Sequence, residues 1–239
     1  MNELALFAGA GGGILASKLL GFRTVCAVEI EPYCREILLR RQEEKILPAF
    51  PIWDDVRTFD GNPWCGKVDI VTAGFPCQPF SVGGDMEGEH DNRNMWPDTR
   101  RIIGEVRPQE IFLENVAHII RFDYFGKIIG DLVELGFGFK WGVVSAKGLG
   151  APFTRKRFWL FGSKSSSLRC QRKRTKTRGA WRKQQFERLV QDTLQSELST
   201  STSCGISDGV SCRLDRLKAL GNGQVPAVAA TAFELLGGQ

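Results

Sequence analysis

The fold class predicted is α/β, an open parallel sheet flanked by helices, and three observations carry it. Short apolar, β-branched runs alternate with helical patterns along most of the chain. The first run breaks into a glycine-rich turn, Ala8-Gly9-Ala10-Gly11-Gly12-Gly13, ahead of a helical pattern. The second ends on an acid, Glu29. In nucleoside-binding sheets such glycines let a ligand approach the backbone at a helix N-terminus, and such an acid accepts hydrogen bonds from ribose hydroxyls.

In chain order, Leu4 to Phe7 reads as the first strand, Ile14 to Leu20 as a helix ending at Gly21, and Thr24 to Glu29 as the second strand. A helix starts near Pro32, where proline suits the first turn. The stretch from Leu47 to Gly66 is rich in Pro, Asp and Trp, with Trp53-Asp54-Asp55-Val56-Arg57 as its one ordered-looking piece. There Asp55 reads either as a contact to an exocyclic amine of adenine or as a helix cap. Val68 to Ala73 is a buried-strand run, Met95 to Val106 a helix, Glu110 to Val116 a strand ending in Glu114 and Asn115, Tyr124 to Leu135 an amphipathic helix, and Phe139 to Ala146 a strand. A basic turn, Gly150 to Arg157, leads into the apolar strand Phe158 to Gly162. The closing helix, Ala227 to Leu236, carries an apolar face that implies docking back on the main body.

Beyond the Val68–Ala73 strand lies Gly74-Phe75-Pro76-Cys77-Gln78-Pro79-Phe80-Ser81. Two prolines flank the Cys77-Gln78 pair and stiffen the loop, holding Cys77 in a defined direction. A thiol placed so is either a nucleophile or an inert small hydrophobe. The glycine-rich, charged segment from Val82 to Asn94 follows directly, in the position of a lid. Ligands of an open parallel sheet sit beyond the carboxyl ends of its strands, so Cys77 and Glu114 share one crevice if their strands are neighbours.

Charge is divided unevenly. Ser163 to Gln191 holds ten Lys or Arg against the single acid Glu187, whereas the rest of the chain is net acidic within a total of +5. Such a local patch is the footprint of a polyanion-binding surface or a solvated insert. The flexible Ser199-Thr200-Ser201-Thr202-Ser203 reads as a linker. At 239 residues the chain suffices for one substantial domain with a small inserted part. Its seven cysteines are scattered, with no Cys-x-x-Cys pair, which speaks for a reducing cytoplasm and against a disulfide scaffold or zinc ribbon. The opening strand leaves no room for a secretion signal, and no apolar run reaches membrane-span length.

Together the pieces resemble the cytosine-C5 DNA methyltransferase family. Phe7-Ala8-Gly9-Ala10-Gly11-Gly12 resembles its first S-adenosylmethionine motif, Glu29 its ribose acid, and Asp55-Val56 its adenine contact. Pro76-Cys77-Gln78 resembles the nucleophile motif, Glu114-Asn115-Val116 the carboxyl motif, and Gly221-Asn222 with Val225-Pro226 the last motif. Two departures stand out: Phe153 occupies the place of the glutamine in the family's Gln-x-Arg-x-Arg motif, and the target-recognition region is short.

The resemblance implies a Rossmann-like S-adenosylmethionine-dependent methyltransferase fold with a small basic target-recognition insert. Residues 1–162 and 213–239 would form the catalytic part and residues 163–212 the DNA-binding part. It implies a DNA (cytosine-5)-methyltransferase in which Cys77, Glu114 and Arg155 are catalytic. Phe7, Gly9, Gly11, Gly12, Glu29, Ile30, Asp55, Val56, Pro76, Asn222 and Val225 would bind the cofactor S-adenosyl-L-methionine. Gln78, Ser81, Asn115 and Arg157 would contact the substrate, with Asn115 positioning the loop. The expected partner is double-stranded DNA, acted on by a cytoplasmic monomer with no metal and no membrane, of the kind that accompanies restriction endonucleases in restriction-modification systems. An RNA cytosine-5 methyltransferase and a catalytically impaired nucleic-acid-binding module of the same fold are the alternatives.

Overall fold

The computed structural model describes residues 1–76, 94–164, 215 and 218–237. Cys77, Gln78, Ser81, the Val82–Asn94 segment up to residue 93, and the basic insert from residue 165 onward lie outside the described residues. The elements are β1 (Asn2–Leu6), α1 (Gly12–Leu19), β2 (Arg23–Val28), α2 (Pro32–Glu43), β3 (Ile52–Trp53), β4 (Ile70–Ala73), α3 (Trp96–Val106), β5 (Glu110–Val116), α4 (Asp123–Glu134), β6 (Phe137–Ser145), β7 (Lys156–Lys164) and α5 (Pro226–Leu236).

The seven strands form one sheet in the order β3-β2-β1-β4-β5-β7-β6. The five strands from β3 to β5 are parallel, and β7 runs antiparallel to both β5 and β6. The sequence pattern gives no sign of this reversal. β7 also runs on to Ser163 and Lys164, which pair with Glu110 and Phe137 and so extend the sheet into the span read as the insert.

Strand alternation decides which helix lies on which face. Leu4, Leu6, Cys26, Val28, Val71, Ile111, Leu113 and Leu160 face one way and pack with Trp96, Ile102, Val106, Ile128 and Leu132 of α3 and α4. The intervening residues Ile70, Phe112, Trp159 and Phe161 face α1 and α5. Ala5 and Ala27 meet Ile14 of α1 and Leu38 of α2. The result is a three-layer α/β/α sandwich. Helix α5 docks through Phe233, whose ring stands edge-on to Phe22, Phe112 and Phe161 at centroid distances of 5.2, 5.3 and 5.3 Å. Truncating such a buried ring costs about 3–5 kcal/mol, so α5 fastens the C-terminal segment, with the turn that precedes it, to the sheet. No helix among the described residues is long and apolar enough to cross a membrane.

Candidate active site

The first half of the site is built from backbone. After β1 the chain turns through Phe7 at φ 54°, a left-handed conformation that a bulky residue rarely adopts, then Gly9 at 55° and Gly11 at 88°. The turn is held by Glu29, only 6% exposed, whose Oε2 accepts from the Gly9 amide at 2.6 Å and Oε1 from the Glu31 amide at 2.8 Å. Burial raises the pKa of this carboxyl, and the two amides oppose the shift. Each oxygen keeps a lone pair for a further donor. The space above Gly9 is open: no atom lies within 4 Å of where a Cβ would be. Beside it, Ile30 is 52% and Trp53 46% exposed, two large apolar surfaces at the ends of β2 and β3. Trp53 was not among the sequence-predicted site residues; a tryptophan in an irregular stretch gives no periodic signal. An open glycine turn, a buried acid and flanking apolar side chains fit the ribose and base of a nucleoside.

Asp55 and Val56 are otherwise engaged. The Asp55 carboxylate takes Arg57 in a fork, with Nε at 3.0 Å from both oxygens and Nη2 at 2.6 Å from Oδ2, which holds its pKa below the usual range. Its Oδ1 also accepts the Arg57 amide at 2.9 Å and its carbonyl the Thr58 amide, so Asp55 closes a turn rather than capping a helix. Val56 is a core residue, and its carbonyl accepts from Arg101 at 2.8 Å.

The second half gathers at the ends of β4 and β5. Their register pairs Ala73 with Leu113, so the strands before Cys77 and Glu114 are neighbours and Gly74 lies beside Glu114. The next residue, Asn115, points to the other face. There its Nδ2 donates to the Phe75 carbonyl at 3.0 Å while its Oδ1 accepts the Val116 amide at 2.8 Å. Phe75 packs on Trp96, centroids 5.4 Å apart, so Asn115 and Trp96 together pin the residue two places before Cys77. Pro76 is exposed.

Glu114 is 7% exposed. Across the antiparallel pair it faces Trp159, and Arg157, two residues along β7 on the same side, reaches it with Nε at 2.8 Å from Oε1. Gln224 completes the set with a side-chain hydrogen bond to the carboxyl. Burial pushes the Glu114 pKa up and outweighs the pull of Arg157, Arg155 and Gln224, leaving it at about 7. Arg155, expected beside the reacting base, donates from Nη1 and Nη2 to the Leu220 carbonyl, both at 3.0 Å, and from Nη2 to the Gly221 carbonyl. Thus Arg157 meets the acid and Arg155 clasps the C-terminal turn. That turn carries Asn222, exposed at the end of the helical residues 218–222, and Val225, buried in the core at the head of α5. Phe153 packs against the same core.

Gln224 itself was missed by sequence reasoning, although it lies between the Gly221-Asn222 and Val225-Pro226 pairs of the last motif. The available signal was a long polar side chain between a glycine and an apolar helix start. Among the described residues, no group of three or more His, Cys, Asp or Glu is arranged to hold a metal ion.

Residues 1–214 match the sequence profile of a family described as C-5 cytosine-specific DNA methylase. The type II methyltransferase M.NgoMIV of Neisseria gonorrhoeae is 34% identical over 160 residues, covering 65% of this chain and 49% of its own length. M.HhaI of Haemophilus parahaemolyticus, another type II methyltransferase, is 32% identical over 165 residues, 67% of this chain and 48% of its own. The chain thus spans about half the length of these curated relatives. Among solved structures, a protein assigned as a DNA modification methyltransferase encoded within an E. coli prophage superposes with a TM-score of 0.58 at 26% identity, over 71% of this chain and 48% of that one. The S. pombe Dnmt2 methyltransferase shares the fold, with a TM-score of 0.57 at 19% identity over 75% of this chain and 58% of its own.

Proposed function

The chain belongs to the C-5 cytosine-specific DNA methylase family, and from that premise we propose that it is a DNA (cytosine-5)-methyltransferase using S-adenosylmethionine. The observation that carries the proposal is Glu114. It is buried beside Gly74 at the root of the Cys77 loop, with its pKa held near neutrality by opposing effects.

Carbon 5 of cytosine is a weak nucleophile. Addition of the Cys77 thiolate to carbon 6 turns the ring into an enamine-like species whose carbon 5 can attack, and once methylated carbon 5 gives up its proton to a base as the sulfur leaves by elimination. Negative charge then develops at ring N3. A carboxyl that still holds its proton near pH 7 can donate it there, and Glu114 fits that task. Arg157 orients the carboxyl through Oε1. Asn115 fixes the Phe75 carbonyl and so the direction in which the Cys77 loop leaves the sheet.

The cofactor's nucleoside part would rest on the Phe7–Gly12 turn, with the ribose against Glu29 and the adenine by Ile30 and Trp53. Bound there, S-adenosylmethionine supplies the electrophilic methyl group. The target base must leave the duplex to meet both reactants. Residues 1–164, which include the last two residues of β7, and 213–239 serve as the discontinuous catalytic part, and the basic residues between 165 and 212 bind DNA phosphates, giving steeply salt-dependent affinity. The test is duplex DNA carrying 5-fluorocytosine, presented with S-adenosylmethionine. The wild-type chain should form a covalent complex that survives denaturing electrophoresis, and Cys77→Ser should form none; an adduct retained by Cys77→Ser would sink the mechanism.

A further inference from the structure

Three glycines near the site have ordinary negative or extended φ, so conformation does not require them: Gly12, Gly13 and Gly74 are absent from the left-handed set. What they share is a neighbour. A Cβ on Gly12 would fall 2.1 Å from the Gln224 carbonyl oxygen, one on Gly13 2.6 Å from Gln224 Oε1, and one on Gly74 2.8 Å from Gln224 Nε2 and 3.0 Å from Glu114 Oε2. Contacts that close to a backbone carbonyl are not relieved by a side-chain rotation, so alanine at Gly12 would displace the turn itself. Two separate strand ends, after β1 and after β4, are therefore stripped of side chains around one glutamine. Its other side is fixed by Val225 and Pro226, buried at the head of α5, and by Arg155 clasping Leu220 and Gly221.

We propose that Gln224 is a positioning residue for Glu114, tying its carboxyl through the side-chain amide to the glycine turn at the head of α1. This rests on the reading above that Glu114 acts on the base. An amide suits the task because it does not titrate: Nε2 can donate to the carboxyl whether or not Glu114 carries its proton, while Oε1 faces Gly13. The acid is then held between two donors, Arg157 on Oε1 and the Gln224 amide, whose Nε2 shares with Glu114 Oε2 the space above Gly74. Its place relative to the nucleoside turn is fixed by a residue that touches both.

The experiment follows the Glu114 carboxyl by carbon-13 NMR in the full chain labelled at glutamate Cδ, with the resonance assigned through Glu114→Gln. A donor to a carboxylate favours the charged form. Gln224→Met, close in length but without the donor, should therefore move the Glu114 midpoint upward. Gln224→Glu, which sets a second carboxylate beside the first, should move it further and serves if the methionine variant folds poorly. In methyl transfer, Gln224→Met should lower kcat about tenfold, the size of one lost charged hydrogen bond, with cofactor affinity changed far less and the alkaline limb of the pH profile displaced upward. An unmoved Glu114 midpoint in both variants, or a kcat loss matched by an equal loss of cofactor affinity, overturns the proposal. The titration needs no turnover. Shifted midpoints in a chain that transfers no methyl group to DNA would therefore leave the coupling standing and overturn the functional reading alone.

Discussion

Two buried glutamates in the same sheet have opposite designs. Glu3, fully buried near the N-terminal end of β1, receives three hydroxyls: Ser17 at 2.5 Å and Thr72 at 2.7 Å on Oε1, and Thr24 at 2.6 Å on Oε2. Glu114, at the C-terminal end of β5, is met by a guanidinium and an amide. Burial raises both pKa values. Around Glu3 the three neutral hydroxyls oppose that rise without cancelling it, and the carboxyl serves as a hydrogen-bonding hub. The arginines bring Glu114 back to about 7, where proton gain and loss cost little. Partner chemistry, more than depth, separates an acid held by hydroxyls from one poised near neutrality.

The largest effect expected from breaking this contrast is on turnover. Glu114→Gln should lower kcat for methyl transfer by about 10²–10⁴, the usual contribution of a positioned acid, with DNA and cofactor binding retained. Next, Glu3→Ala should cost about 2–5 kcal/mol in urea unfolding, since it leaves a void and three hydroxyls without their partner, yet leave kcat per folded molecule unchanged. A smaller effect separates the two in pH. The fold holds the Glu114 proton more tightly than the unfolded chain, whose value is 4.5. The stability this contributes is complete below about pH 4 and is lost as pH rises through 7. Wild type should therefore lose stability relative to Glu114→Gln across that window; parallel curves would contradict the assigned pKa. The smallest change is Arg157→Met, which should raise the Glu114 midpoint and move the alkaline limb of activity upward.

Much of the sheet was legible because its strands are short β-branched runs between glycine turns, and Glu110–Val116 matches its expected bounds residue for residue. One rule about where parallel sheets bind ligands put Cys77 and Glu114 at one crevice on the condition that their strands are neighbours, and the pairing of β4 with β5 meets that condition. Contacts that depend on distant segments were not legible. Glu3 carries no signal in the sequence, since nothing local reveals Ser17, Thr24 and Thr72 closing over it. The resemblance makes Arg155 catalytic and Arg157 a substrate contact, but the antiparallel placement of β7 sends Arg157 to Glu114 and leaves Arg155 with the C-terminal turn. Gly12 reads as a nucleotide-approach glycine, while its contact is with the Gln224 backbone, which α5 brings to it from the far end of the chain.

The most direct measurement is transfer of labelled methyl from S-adenosylmethionine to cytosine-containing duplex DNA by wild type, Glu3→Gln and Glu114→Gln at matched folded concentration. Wild type and Glu3→Gln should transfer at rates within about twofold of each other, as expected for a site distant from the chemistry, and Glu114→Gln at least about a hundredfold more slowly. Equal rates for the two variants, or no transfer to DNA by wild type, would contradict the assignment of the two ends of the sheet.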